Sequence, residues 1–165
     1  HFNGKDVVLG GRTDSAQIPS FLVEKLQNLF QTVTARQVFS TTFAPKTEGE
    51  IGDVELYGEG YGAKIQKSGG LYKPDGVDFV LFDVRIGCWW LKRADVENIA
   101  VAFGLKTVPL ISFGPLNSMV ALCQQGFKSQ WGDFPAEGIV ARPLVELQDR
   151  GGRRIIAKLK LRDYR

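Results

Sequence analysis

Two runs of strand-forming residues, Glu137-Gly138-Ile139-Val140-Ala141-Arg142-Pro143 and Ile155-Ile156-Ala157-Lys158-Leu159-Lys160-Leu161, flank the turn-forming cluster Gln148-Asp149-Arg150-Gly151-Gly152. The pattern predicts an antiparallel hairpin. Side chains alternate faces along a strand, so Ile156, Lys158 and Lys160 share one side and Ala157, Leu159 and Leu161 the other. The two ammonium groups then stand about 7 Å apart, a spacing that suits the non-bridging oxygens of a di- or triphosphate. A carboxylate on the partner strand could hold a divalent metal or a ribose hydroxyl beside them. The plainer reading is a half-exposed strand with solvated lysines, and the hairpin alone favours it. The rest of the chain shifts the balance.

The net charge of +3 is unevenly spread. From Asp149 to Arg165 seven basic residues face two acidic ones, a net of +5, which leaves −2 for the remainder of a chain whose total is +3. A positive C-terminal hairpin on a near-neutral body points to a polyanion such as nucleotide phosphate or nucleic acid. A length of 165 residues with 44% apolar and 24% charged side chains fits a single domain, residues 1–165, with a real core. There is no apolar run of about 20 residues and no signal-peptide pattern, so a cytoplasmic location is expected, host-cytoplasmic if the gene belongs to a phage or virus. His1 is the only histidine, which excludes His-rich metal sites and His-based acid/base catalysis. Cys88 and Cys123 lie in apolar settings, form no CxxC pair, and are expected as buried thiols.

Along the chain, Gly4-Lys5-Asp6 reads as a turn feeding a strand at Val7-Val8-Leu9, which resembles the second half of a hairpin and marks the chain as a fragment truncated at its N-terminus. Phe21, Leu22, Leu26, Leu29 and Phe30 recur at helical spacing, predicting a helix from Pro19 to about Thr32 with Ser15 as a candidate cap. Gln37–Phe39 and Ile51–Tyr57 read as strands around a polar loop with Pro45 and Gly49. The segment Gly58–Gly76, with six glycines, reads as a long loop of the kind that serves a site. Asp78–Ile86 and Cys88–Leu91 suggest a second hairpin. Helices at Ala94–Phe103 and Pro115–Gln124 flank a strand at Val108–Ile111. Strands clustered with interspersed helices imply an α+β fold with mainly antiparallel sheets.

These segments carry a resemblance. Gly10-Gly11-Arg12-Thr13, Tyr57-Gly58-Glu59-Gly60, Leu81-Phe82-Asp83, Glu137-Gly138-Ile139-Val140 and Lys158-Leu159-Lys160 resemble, in order, five motifs of the nucleotidyltransferase domain of ATP-dependent RNA ligases, within the superfamily that includes DNA ligases and mRNA capping enzymes. The resemblance covers nearly the whole chain and implies the adenylation-domain fold. It implies that Arg12 meets a phosphate or an RNA end, that Glu59 accepts from a ribose hydroxyl, and that Phe82 stacks on adenine. It further implies that Glu137 binds the metal or orients the nucleotide and that Lys158 and Lys160 neutralise α-phosphate charge in the transition state. Arg142 and Arg154 would contact nucleic acid. The implied cofactors are ATP, bound as AMP after transfer, with Mg2+ or Mn2+. The implied partners are RNA 5′-phosphate and 3′-hydroxyl ends, with no membrane and a monomeric protein.

The chain departs from that pattern at one motif. The lysine nucleophile of Lys-x-Asp-Gly or Lys-x-x-Gly, which takes up AMP, should precede Gly4, and Lys5-Asp6-Val7-Val8 does not match it. This polypeptide alone is therefore expected not to form the covalent intermediate. Two alternatives stay open: a DNA ligase or capping guanylyltransferase core, and a non-catalytic nucleotide- or RNA-binding module.

Overall fold

The computed structural model describes residues 1–13, 15–44 and 52–164. The loop expected around Pro45 and Gly49, the start of the strand at Ile51, and Asp14 and Arg165 lie outside these residues. The fold is α+β, in two compact units, His1–Val108 and Pro109–Arg165.

The first unit builds its core from helices α1 (Ser20–Phe30), α2 (Val33–Thr42) and α4 (Arg93–Ala102) against one face of a four-stranded sheet. Helix α1 follows the periodicity of its apolar residues and buries Leu26 and Phe30. Its N-cap is Pro19, with no capping side chain, so Ser15 does not serve. Helix α2 overturns the strand expected at Gln37–Phe39. The Thr32 hydroxyl accepts from the Ala35 amide at 3.1 Å and starts the helix, after which Ala35 and Phe39 fall one turn apart on the buried side. Phe39, 2% exposed, stacks on Phe2 at 4.5 Å and meets Phe103 at 4.6 Å. Burying such a ring contributes about 1.5–3 kcal/mol.

Phe2 is tied to Val54 by two backbone hydrogen bonds of 2.7 and 2.9 Å and to Val7 by a bridge. The Gly4-Lys5-Asp6 turn forms as expected, held by the Asn3 side chain, but Val7–Leu9 makes only this bridge in place of a strand.

The sheet orders β1 (Val54–Gly62), β2 (Val77–Ile86) and β3 (Trp89–Trp90) antiparallel, and β4 (Lys106–Thr107) pairs β2 in parallel. The expected β2–β3 hairpin is present. The strand expected at Val108–Ile111 falls earlier, at β4. The glycine-rich stretch also differs from expectation, because β1 runs on through Gly62 and a short helix α3 (Gly69–Tyr72) follows. These glycines belong to a strand because neighbours occupy the space of their side chains. A Cβ on Gly58 would lie 2.1 Å from the Phe79 ring, and one on Gly60 would lie 2.4 Å from Leu22.

The second unit packs helix α5 (Leu116–Gln125) against the hairpin of β5 (Gly138–Ala141) and β6 (Ala157–Lys160) and a 3-10 turn at Leu161–Tyr164. Met119, Cys123 and Leu161 are buried there. Gly126, with φ +74°, ends α5.

Candidate functional site

The register of the four-stranded sheet divides its side chains by face. Phe79, Leu81, Val84 and Ile86 all pack in or against the helical core, a spacing with one three-residue step. That step is a β-bulge: Tyr57 pairs with Asp83 and Gly58 with Leu81, leaving Phe82 as the extra residue. Phe82 and Asp83 therefore both turn to the face away from the helices, opposite Tyr57. The same face receives Glu55, Glu59 and Tyr61 from β1, Asp78, Val80 and Arg85 from β2, Trp90 from β3 and Lys106 from β4, since paired residues share a side.

This second face is a built surface. The Arg85 guanidinium meets Glu55 Oε2 through Nε at 2.7 Å and Nη2 at 2.6 Å, while the Tyr57 hydroxyl donates to the same oxygen. Arg85 also lies 5.6 Å from the Trp90 ring, which stands 5.0 Å from Tyr57. Asp83, 6% exposed, is the one buried charged side chain among the described residues, and no buried side-chain polar atom there lacks a partner. Glu59 is exposed and Phe82 half-buried. At the far end of the face, burial pushes the Asp78 carboxyl up, but the Phe79 amide, Lys25 at 3.2 Å and Lys73 at 3.7 Å outweigh it and hold the group below its ordinary range. Burial, then the Asp78 charge, raises Tyr61.

In the second unit the hairpin has the register that the sequence implies. Gly138 pairs with Lys160, Ile139 with Leu159 and Val140 with Lys158. Lys158 is exposed, Lys160 half-buried, and both share a face with Val140 and Gly138. Gly138 adopts φ +155°, and a Cβ there would lie 2.1 Å from the Leu159 carbonyl oxygen. Strand alternation cannot be carried back through such a residue to Glu137, which is exposed and whose carbonyl accepts from the Leu161 amide at 3.0 Å. The tip of the hairpin is set by Asp149, whose carboxylate accepts from the Gly151 and Arg153 amides and from Arg153 Nε.

The sequence profile of the RNA ligase family matches residues 1–160. The chain belongs to the RNA ligase family. Comparison with curated proteins gives no match. Among the described residues no helix of this RNA ligase chain is long and apolar enough to cross a membrane.

Two groups of expected site residues in the RNA ligase chain are brought together within units. Glu59 and Phe82 share the second face of the first unit's sheet, and Lys158 and Lys160 share one face of the second unit's hairpin with Glu137 at its edge. Arg12 lies exposed in the irregular segment before α1. Arg142 follows β5 directly. Arg154 is half-buried and committed to Glu146 by two hydrogen bonds. Sequence reading missed Arg85, Trp90 and Lys106, because their place on the same face as Glu59 depends on pairing partners. A hollow of about 340 Å³ in the second unit is lined by Phe127, Lys128, Asp133 and Phe134, and by none of the expected site residues.

No three acidic, His or Cys side chains converge among the described residues.

Proposed function

We propose that this member of the RNA ligase family is the adenylation part of an ATP-dependent enzyme, both units belonging to one nucleotidyltransferase domain. The observation that carries the reading is the face shared by Lys158 and Lys160, where the pairing partner of Lys160 is Gly138, a residue without a side chain. Two cations on one face of the strand, with no side chain opposite Lys160, match the developing charge on an α-phosphate. In the first step a lysine Nζ of the parent enzyme attacks the α-phosphorus of ATP and pyrophosphate leaves. AMP then passes to an RNA 5′-phosphate and frees the lysine. Finally an RNA 3′-hydroxyl attacks that 5′-phosphorus, the new phosphodiester forms, and AMP is released.

The family reading assigns Glu59 to a ribose hydroxyl, Phe82 to the adenine face, and Lys158 and Lys160 to the α-phosphate oxygens. Glu137 is the carboxylate that would hold Mg2+ or Mn2+, which would screen the phosphates against their nucleophiles. Arg12 and Arg142 take RNA phosphates, and Arg154 acts beside them through the hairpin that it braces. The test is radiolabelled AMP transfer by the complete reading frame with ATP and magnesium. Label on a lysine, lost by about 100-fold in Lys158→Ala, supports the reading, in the range of one oxyanion donor removed. No label on any lysine ends it.

A further inference from the structure

Glu59, Val80 and Lys106 form one row across the first unit's sheet. Val80 pairs with Glu59 in the antiparallel β1–β2 ladder and with Lys106 in the parallel β2–β4 ladder, so all three side chains project from the face that carries Phe82. Glu59 and Lys106 are both exposed, and Val80 between them is 6% exposed. Two strand spacings separate their backbones by about 10 Å. The row therefore presents an anion, an apolar floor and a cation in a line, with the half-buried Phe82 ring in the neighbouring row on the same side.

We infer that Lys106 is a further nucleotide-contacting residue, which takes the β- and γ-phosphates of the donor triphosphate. The inference rests on the reading of Glu59 as the ribose contact. In a nucleoside triphosphate the 2′-hydroxyl and the 5′-phosphates leave the ribose on opposite sides, so a carboxylate on the hydroxyl turns the phosphate chain away from β1 and along the row. Lys106 is the cation that the row supplies on that side. Its ammonium is a donor-only group on a flexible four-carbon stem, suited to a mobile polyphosphate as a point charge. Lys158 and Lys160, assigned to the α-phosphate, do not duplicate that role.

The experiment is isothermal titration of the full-length protein with α,β-methylene-ATP and with AMP. Lys106→Ala and Lys106→Gln weaken the triphosphate analogue about tenfold, the scale of one charge-assisted hydrogen bond, and leave AMP affinity unchanged. Lys106→Arg restores most of the loss. Equal weakening of both ligands, or no change in either, overturns the role of Lys106. Glu59→Ala and Phe82→Ala separate the two levels of the argument. If they weaken both ligands while Lys106→Ala does nothing, the ribose and adenine reading stands and Lys106 drops out. If all of these variants leave both affinities intact, the reading of the face falls with it.

Discussion

Arg154 grips Glu146 through two nitrogens, Nε to Oε1 at 2.5 Å and Nη2 to Oε2 at 2.8 Å, with 11% and 22% of the two side chains exposed. The pair joins the two arms of the β5–β6 hairpin beyond its strands, next to the Gln148–Arg154 bridge. A bidentate, largely dry pair of this kind holds geometry in a way that an exposed ion pair does not. Arg154→Ala therefore destabilises the second unit by about 1–3 kcal/mol, because it leaves the largely buried Glu146 carboxylate without these two donors, and Glu146→Ala also destabilises it by removing their acceptor. Urea denaturation of both single variants and the double variant checks this. A double variant no worse than either single one supports the coupling, and strictly additive losses exclude it.

Gly58 has no space for a methyl group. The position lies under the Phe79 ring and 2.4 Å from the Val80 carbonyl oxygen, so Gly58→Ala forces β1 away from β2 at the bulge. Overpacking of this kind costs about 1–3 kcal/mol. Gly10→Ala is the control, since nothing lies within 4 Å of a Cβ there. Thermal unfolding of the two variants should show a lowered midpoint for Gly58→Ala alone.

The features legible in the sequence were those that a single strand or helix dictates. Lys158-Leu159-Lys160 alternates, and the observed register follows it. The apolar spacing of Phe21, Leu22, Leu26 and Phe30 specifies α1 in the same way. What escaped reading depends on partners distant in sequence. Gly58 and Gly60 look like loop residues until Phe79 and Leu22 are seen to occupy their side-chain space. The resemblance singles out Phe82 for adenine, but the face it occupies follows only from the mismatch with β1 that turns it, beside Asp83, to the second face. Lys106 has no sequence signal, because its face is set by a two-residue parallel pairing. Val38-Phe39 suggested a strand because the decisive residue for α2 is the Thr32 cap upstream.

Asp78 makes acid stability a readable property of the first unit. Its folded-state carboxyl titrates below the ordinary value, since the Phe79 amide, Lys25 and Lys73 outweigh the cost of its burial. A group depressed on folding stabilises the protein above its unfolded value, near 3.9, and loses that contribution as pH falls through the folded value. Wild type should therefore lose more stability than Asp78→Asn between about pH 5 and pH 3, with the gap between them narrowing as pH drops. Denaturation midpoints across that range decide it, and parallel profiles for the two proteins would exclude the linkage.

The two cysteines should separate cleanly by reactivity. Both were expected to be buried, yet Cys88 is exposed in the turn between β2 and β3, while Cys123 is 1% exposed on α5. Its apolar neighbours misled because the turn at Gly87-Cys88, with Gly87 at φ +56°, carries Cys88 out of the sheet. Cys123 is shielded twice. Burial pushes its thiol up, against a smaller lowering by the Ile139 backbone, and its Sγ lies 3.9 Å from the Leu159 carbonyl oxygen. The thiolate is the reactive form, so both access and ionisation protect it. Native protein should titrate one thiol with a disulfide reagent, a signal removed by Cys88→Ser, and a second should appear only in denaturant. Because Cys123 sits against β6, one residue from Lys158 and Lys160, the rate at which it becomes reactive reports the opening of the strand that carries both lysines. Fast native labelling of Cys123 in the Cys88→Ser variant would mean that this strand is not held against α5.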